Sequence, residues 1–197
     1  DGLLIGGTTG ESPSMSEGEK LELFKSVKEA VGTTASVIAG TTDNNTIASI
    51  DLSKKAENLG VDAILLTVPA YNKPTQEGLF QHFKKISESV SIPGILYNVP
   101  SRTSLNMDVD TTIRLSKIDN IVGVKEASSD PDQITNIISK SDSDFKVWSG
   151  NDNETFSIMS TGGHGVVSVA SNIIGNQVKK LMGYVLDGQT DLAAIEH

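Results

Sequence analysis

Lys125 closes the branched apolar run "IVGVKEAS" (121–128), a place where lysine needs a reason. It is a poor strand former and is almost never fully buried without a partner. An amine desolvated in a pocket has a lowered pKa, so that enough of it is neutral to attack a carbonyl. On position alone, pairing with a neighbouring carboxylate such as Glu126 competes with that reading. Tyr97 ends the preceding apolar run, so its phenol could stand beside the lysine. Loss of water from a carbinolamine needs a proton shuttle, and a tyrosine relayed through a threonine hydroxyl would serve. "GGTTG" (6–10) offers backbone N–H groups and two hydroxyls that suit a small carboxylate, or else a tight turn alone. Arg102 follows a Val–Pro turn, where its planar fork suits a second carboxylate, or where it is simply a surface arginine.

These residues need a frame that brings strand ends together. Apolar runs at 3–6, 36–39, 62–67, 94–97, 121–125, 145–148 and 165–169 are continuous rather than alternating, the pattern of parallel strands covered on both faces. Between them the spacing predicts helices. Ser16 and Glu19 form a capping box before an apolar stripe that Gly32 ends. A second helix covers 45–59, and a third, 75–90, carries Leu79, Phe83, Ile86 and Val90 on one stripe. Asp130–Pro131 starts another, and 152–160 and 176–187 supply the last two. Each unit takes about 30 residues or fewer, as in an α/β (β/α)8 TIM barrel. Seven strands cannot close that barrel, so a first strand and helix are expected upstream. "TDLAAIEH" reads as the opening of a helix, so the chain is expected to be truncated at both ends. The barrel domain is placed at 1–187 and the start of a C-terminal helical region at 188–197. A doubly wound open sheet is the alternative, but no G-x-G-x-x-G follows the first strand.

Chemistry in parallel barrels sits where strands end. The junctions "GGTTGES", "AGTTDNN", "TVPAYNKP", "YNVPSRT", "KEASSD", "WSGNDN" and "SVASN" collect two tyrosines, an arginine, several threonines and Lys125. By contrast, Lys20, Lys25, Lys28, Lys54, Lys55, Lys84 and Lys85 follow helical spacing, and Lys146 lies at a strand's entry. The chain of 197 residues is 37% apolar and 21% charged, enough for one large core, with a formal charge of −9. That charge disfavours nucleic acid and anionic membranes. Cysteine is absent, which removes thiolate chemistry and fits a reducing, cytoplasmic setting. No apolar run approaches the ~20 residues of a membrane span. His82, His164 and His197 lie far apart, with no metal spacing.

Taken together the junctions resemble the dihydrodipicolinate synthase family of pyruvate-dependent class I aldolases. "GTTGES" (7–12), "YNKPTQEGL" (71–79), "YNVPSRT" (97–103), "GVKEAS" (123–128), "SGND" (149–152) and "GGHGVVSV" (162–169) carry the match, in order and across nearly the whole chain. The resemblance implies that Lys125 forms a Schiff base with pyruvate, while Tyr97, Thr8 and Tyr71 relay protons. Tyr71 would reach into a neighbouring subunit's site. It implies further that Thr9 holds the pyruvate carboxylate and Arg102 that of L-aspartate 4-semialdehyde, with Gly150 and Val167 lining the pocket. The product would be 4-hydroxy-tetrahydrodipicolinate, on the diaminopimelate route to lysine. No metal or organic cofactor is implied, only the covalent imine, and the assembly would be a homotetramer built from tight dimers.

The chain departs from the family pattern at Ala70–Tyr71, where a tyrosine pair is common. At the positions matching a lysine-effector cleft it has Ser12, Pro13, Glu17, Lys20, Asn44, Ala48 and Ala70. Lys20 would repel a lysine effector, so weak or absent feedback is expected. The rival functions are an N-acetylneuraminate lyase or keto-deoxy-sugar aldolase of the same superfamily, a non-catalytic paralogue, and a metal-dependent barrel hydrolase. "PSRT" favours the synthase over the first, the complete relay set argues against the second, and the scattered histidines argue against the third.

Overall fold

The computed structural model describes residues 1–197. Seven strands form one sheet in strictly sequential order, every neighbouring pair parallel. They are β1 (Gly2–Ile5), β2 (Ser36–Gly40), β3 (Ala63–Thr67), β4 (Gly94–Asn98), β5 (Ile121–Glu126), β6 (Lys146–Ser149) and β7 (Gly165–Val166). The helices are α1 (Glu17–Val31), α2 (Thr46–Asn58), α3 (Gln76–Ser87), α4 (Pro100–Thr103), α5 (Val109–Leu115), α6 (Pro131–Lys140), α7 (Thr155–Ser160), α8 (Ser171–Leu186) and α9 (Thr190–Glu196). Sequential order without a reversal is barrel order and rules out the doubly wound sheet. β1 pairs with β2 alone and β7 with β6 alone, so the sheet is open between them.

The helix ends follow the local chemistry. Ser16 caps α1 by accepting from the Glu19 N–H, and Glu19 returns the bond to the Ser16 N–H. Asn45, Thr75, Asp108 and Asp130 cap α2, α3, α5 and α6 by accepting from first-turn N–H groups, without a return bond. The sequence reading missed α4 and α5. The second is short and rich in β-branched residues, so it carries little helical signal beyond its Asp108 cap. The expected helix at 152–160 opens as a 3-10 turn, Asp152–Glu154. The last strand is shorter than the expected 165–169, and α8 starts earlier than 176, with a kink at Ile174. There the chain leaves the ladder early because the Asp152 carboxylate accepts from the Val169 and Ala170 N–H groups, 3.0 Å each.

Three apolar clusters pack on the sheet: Phe24 of α1 and Leu52 and Ala56 of α2 meet Val37 and Ala39 of β2 in one, and the other two lie on opposite faces. Ile64, Leu66, Leu96, Ile121, Val124 and Val147 meet Leu79, Phe83, Leu115 and Ile137 of the helices. Leu65, Ile95, Tyr97, Val99 and Ala127 pack on the other face, joined by Leu4, Ile38, Val122 and Trp148. Contacts from β1 through β6 to that last cluster show that the sheet curls around it. Fully burying each such large apolar side chain contributes about 1.5–3 kcal/mol.

One irregularity decides the site. The register between β4 and β5 shifts after Gly94, which pairs with Ile121, whereas Ile95 pairs with Gly123. β5 therefore carries one extra residue. In unbroken alternation Ile121 and Lys125 would share a face. The bulge reverses the phase, so Ile121 and Val124 both face the helices and Lys125 faces the curled interior.

Candidate active site

All strands run the same way, so their C-terminal ends gather at one rim. Lys125 is the penultimate residue of β5, between Tyr97 of β4 and Trp148 of β6 in the ladder. It is only 8% exposed, and its Nζ lies 4.1 Å from the centroid of the Tyr97 ring. Burial, with the Arg102 guanidinium adding to it, pulls the amine from 10.5 down to about 8; the Asp152 carboxylate pulls the other way. Burial raises the Tyr97 phenol, and Arg102 opposes that rise.

The pairing of Lys125 with Glu126 is not found. Successive strand residues point to opposite faces, so the Glu126 carboxylate lies behind the sheet. There it accepts from Asn98 Nδ2, the Ser128 N–H and Gln133 Nε2. The amine keeps its burial without a counter-ion in contact, which is what a nucleophilic amine requires.

Thr8 and Thr9 lie exposed in a 3-10 turn, Thr8–Gly10, just past β1. Arg102 lies in α4, one turn past β4; the Thr103 hydroxyl braces that turn by donating to the Val99 and Leu105 carbonyls. Its charge is felt by both Lys125 and Tyr97. Gly150 follows β6, its N–H donating to the Glu126 carbonyl at 2.7 Å. A Cβ there would sit 2.8 Å from Ala127 Cβ and 3.3 Å from Lys125 Cε, so only glycine leaves room for the lysine stem. The Val167 N–H donates to the Ser149 carbonyl at 2.9 Å, which carries the ladder one rung past β7. Tyr71 is set apart. It is 93% exposed, with a left-handed backbone (φ 71°) that an aromatic residue rarely adopts. Its ring does not enter the buried pocket of its own chain.

Asp152 was missed as a site residue, although "SGND" was singled out. Its carboxylate accepts from the Ser168 hydroxyl and from two backbone N–H groups, and it is the negative charge that Lys125 feels. A lone acid at a strand-end junction was the available signal. The histidines stay apart in space: His82 bonds Thr46 on the helix side, His164 meets Trp148 edge-on and His197 lies by Phe156.

A sequential parallel sheet with a desolvated lysine at its rim is the frame of a Schiff-base-forming lyase of the class I aldolase type. The family model of the dihydrodipicolinate synthetase family matches residues 1–197, and the chain belongs to that family. It is 56% identical over 197 residues to 4-hydroxy-tetrahydrodipicolinate synthase 1 of Halalkalibacterium halodurans, covering 100% of this chain and 67% of that protein. Against the 4-hydroxy-tetrahydrodipicolinate synthase of Dehalococcoides mccartyi the identity is 54%, covering 100% and 66%. Among solved structures, the dihydrodipicolinate synthase of Bacillus anthracis superposes with a TM-score of 0.97 at 48% identity, over 100% of this chain and 67% of that one. That of Acinetobacter baumannii, solved in complex with pyruvate, gives 0.96 at 38%, again over 100% and 67%. The chain thus spans about two thirds of the length of these relatives.

Proposed function

We propose that the protein is a 4-hydroxy-tetrahydrodipicolinate synthase, and that Lys125 captures pyruvate as an imine. The carrying observation is the buried, unpaired amine held near 8 beside the Tyr97 ring. The neutral amine attacks C2 of pyruvate, and the carbinolamine loses water to give the imine. Tyr97 passes the proton, with Thr8 and a second subunit's copy of Tyr71 completing the relay. Loss of a proton from C3 gives the enamine, because the iminium takes up the electron pair. The enamine carbon attacks the aldehyde of L-aspartate 4-semialdehyde and forms the new C–C bond. The substrate's own amine then displaces Lys125 by transimination, closing the ring and freeing the lysine. Pyruvate and the semialdehyde are consumed, water leaves, and nothing is oxidised or reduced.

The carboxylate clamps in this reading are Thr9 with the backbone of its turn, and Arg102. Gly150 and Val167 shape the pocket, the first by the space it leaves and the second by its ladder bond to Ser149. No metal or organic cofactor enters any step. The exposed Tyr71, held outward by its backbone, supports a dimer in which it crosses to the neighbour, and a homotetramer of two such dimers. No helix is long and apolar enough to cross a membrane, which is compatible with a cytoplasmic enzyme. The division at 187/188 falls on the turn between α8 and α9, where Gly188 has φ 72°. Weak lysine feedback follows from Lys20 and Ala70, although a relative from Cyanidioschyzon merolae was solved with lysine bound.

Borohydride reduction in the presence of pyruvate should add one reduced pyruvate to Lys125, read by peptide mass. An unmodified lysine would overturn the reading. Turnover of L-aspartate 4-semialdehyde with no cleavage of N-acetylneuraminate separates the synthase from the neighbouring lyase activity.

A further inference from the structure

Behind the sheet, one residue past the Lys125–Tyr97 pair, stands a second pair that the mechanism does not use. Asn98 and Glu126 are directly opposite in the ladder and both 0% exposed. The Glu126 carboxylate accepts from Asn98 Nδ2 at 3.1 and 3.2 Å, from the Ser128 N–H at 2.8 Å and from Gln133 Nε2 at 3.4 Å. Every partner is a donor, the pattern an ionised carboxylate takes. Burial nonetheless pushes its pKa up, since no cation lies against it. A residue needed only to fill that space would be apolar, like the Val124 and Leu96 that precede the pair.

The same groups reach further. Asn98 Oδ1 accepts from the Met107 N–H at 3.0 Å, and Gln133 Nε2 donates to the Met107 carbonyl at 3.3 Å. Asn106 Nδ2 donates to Gln133 Oε1 at 2.7 Å. One buried cluster therefore ties together the ends of β4 and β5, the start of α6, and the loop that returns from Arg102. The β4–β5 register shifts at the bulge, and Asn98 and Glu126 close the four rungs that follow it, so the cluster sits at the free end of that ladder, beside Lys125. A slip of one residue there would turn Lys125 to the helix side.

We propose that Glu126 is a positioning residue for imine formation: its buried carboxylate, acting through Asn98 and Gln133, locks the rung that sets Lys125 against Tyr97 and fixes the loop returning from Arg102. This rests on the Schiff-base reading above. Hydrogen bonds are directional, so the cluster fixes register and orientation where an apolar pair would fix only volume.

The test is Glu126→Gln in the full chain, with pyruvate trapping measured against pH and folding checked by circular dichroism. Glutamine keeps the shape but turns a donor toward the Asn98 and Gln133 amides. The imine should still form on Lys125, at a rate lower by about tenfold or more, since misplacement by about 1 Å can cost 10²-fold. Its pH midpoint should rise toward 10.5, the value of an ordinary lysine, as water reaches the amine. A folded variant with wild-type rate and midpoint would overturn the proposal. If Glu126→Gln does not fold, Asn98→Ser, which removes the amide from the same rung, is read by the same two measurements. Loss of folding in both assigns the cluster to stability alone and overturns the positioning role. A wild type that traps no pyruvate would instead sink the Schiff-base reading.

Discussion

Replacing Lys125 by methionine should abolish imine formation and make the protein more stable at neutral pH. Methionine keeps the length and apolar stem and removes the charge. The native amine titrates at about 8, against 10.5 for an ordinary lysine. Between those values the unfolded chain binds the proton and the native chain does not, so stability rises with pH through that window. Below about 8 the native state carries the whole penalty, and above 10.5 it carries none. At 1.36 kcal/mol per pKa unit the penalty at pH 7 is roughly 3 kcal/mol. The ammonium's contact with the Tyr97 ring, about 0.5–1 kcal/mol, is also lost. The variant should therefore gain about 2 kcal/mol at pH 7, and the gain should shrink toward zero by pH 10.5. Urea midpoints at pH 7, 8.5 and 10 measure this directly. A variant less stable than wild type at pH 7, or a gain that does not change with pH, would refute the claim that burial lowers this amine.

Tyr97→Phe keeps the ring under the Lys125 amine and deletes the phenol. Imine formation should slow by about 10²–10⁴-fold with little change in melting temperature, and a wild-type trapping rate would remove Tyr97 from the relay. Gly150→Ala puts a methyl 2.8 Å from Ala127 Cβ and 3.3 Å from Lys125 Cε. It should cost about 1–3 kcal/mol of stability, read by denaturant titration, and slow trapping as well. Asp152→Asn removes the one charge that raises the Lys125 pKa, so the pH midpoint of trapping should move down; an upward or absent shift contradicts the assigned electrostatics.

Strand and helix order were legible along the chain because they depend on neighbours in sequence. A capping box spans four residues, an apolar stripe repeats every turn, and Gly32 and Gly60 end their helices with positive φ. Lys125 was conspicuous for the same local reason, a charge at the end of a branched apolar run. α4 and α5 were not legible: α4 is a single turn, and α5 is short and rich in β-branched residues, so neither carries a periodic signal.

Which face Lys125 occupies was decided by tertiary structure. By parity it belongs with Ile121 on the helix side, and one extra residue in the pairing with β4 turns it inward. The same register sends Glu126 behind the sheet to Asn98, 28 residues away in sequence, and so dissolves the ion pair that adjacency suggests. Asp152 reaches Ser168 and Lys125 only because the strand ends converge. The sequence alone determined the strands, the longer helices and the one residue worth asking about. Pairing between distant strands decided where that residue points and which charges it feels, because register and burial are properties of the packed sheet.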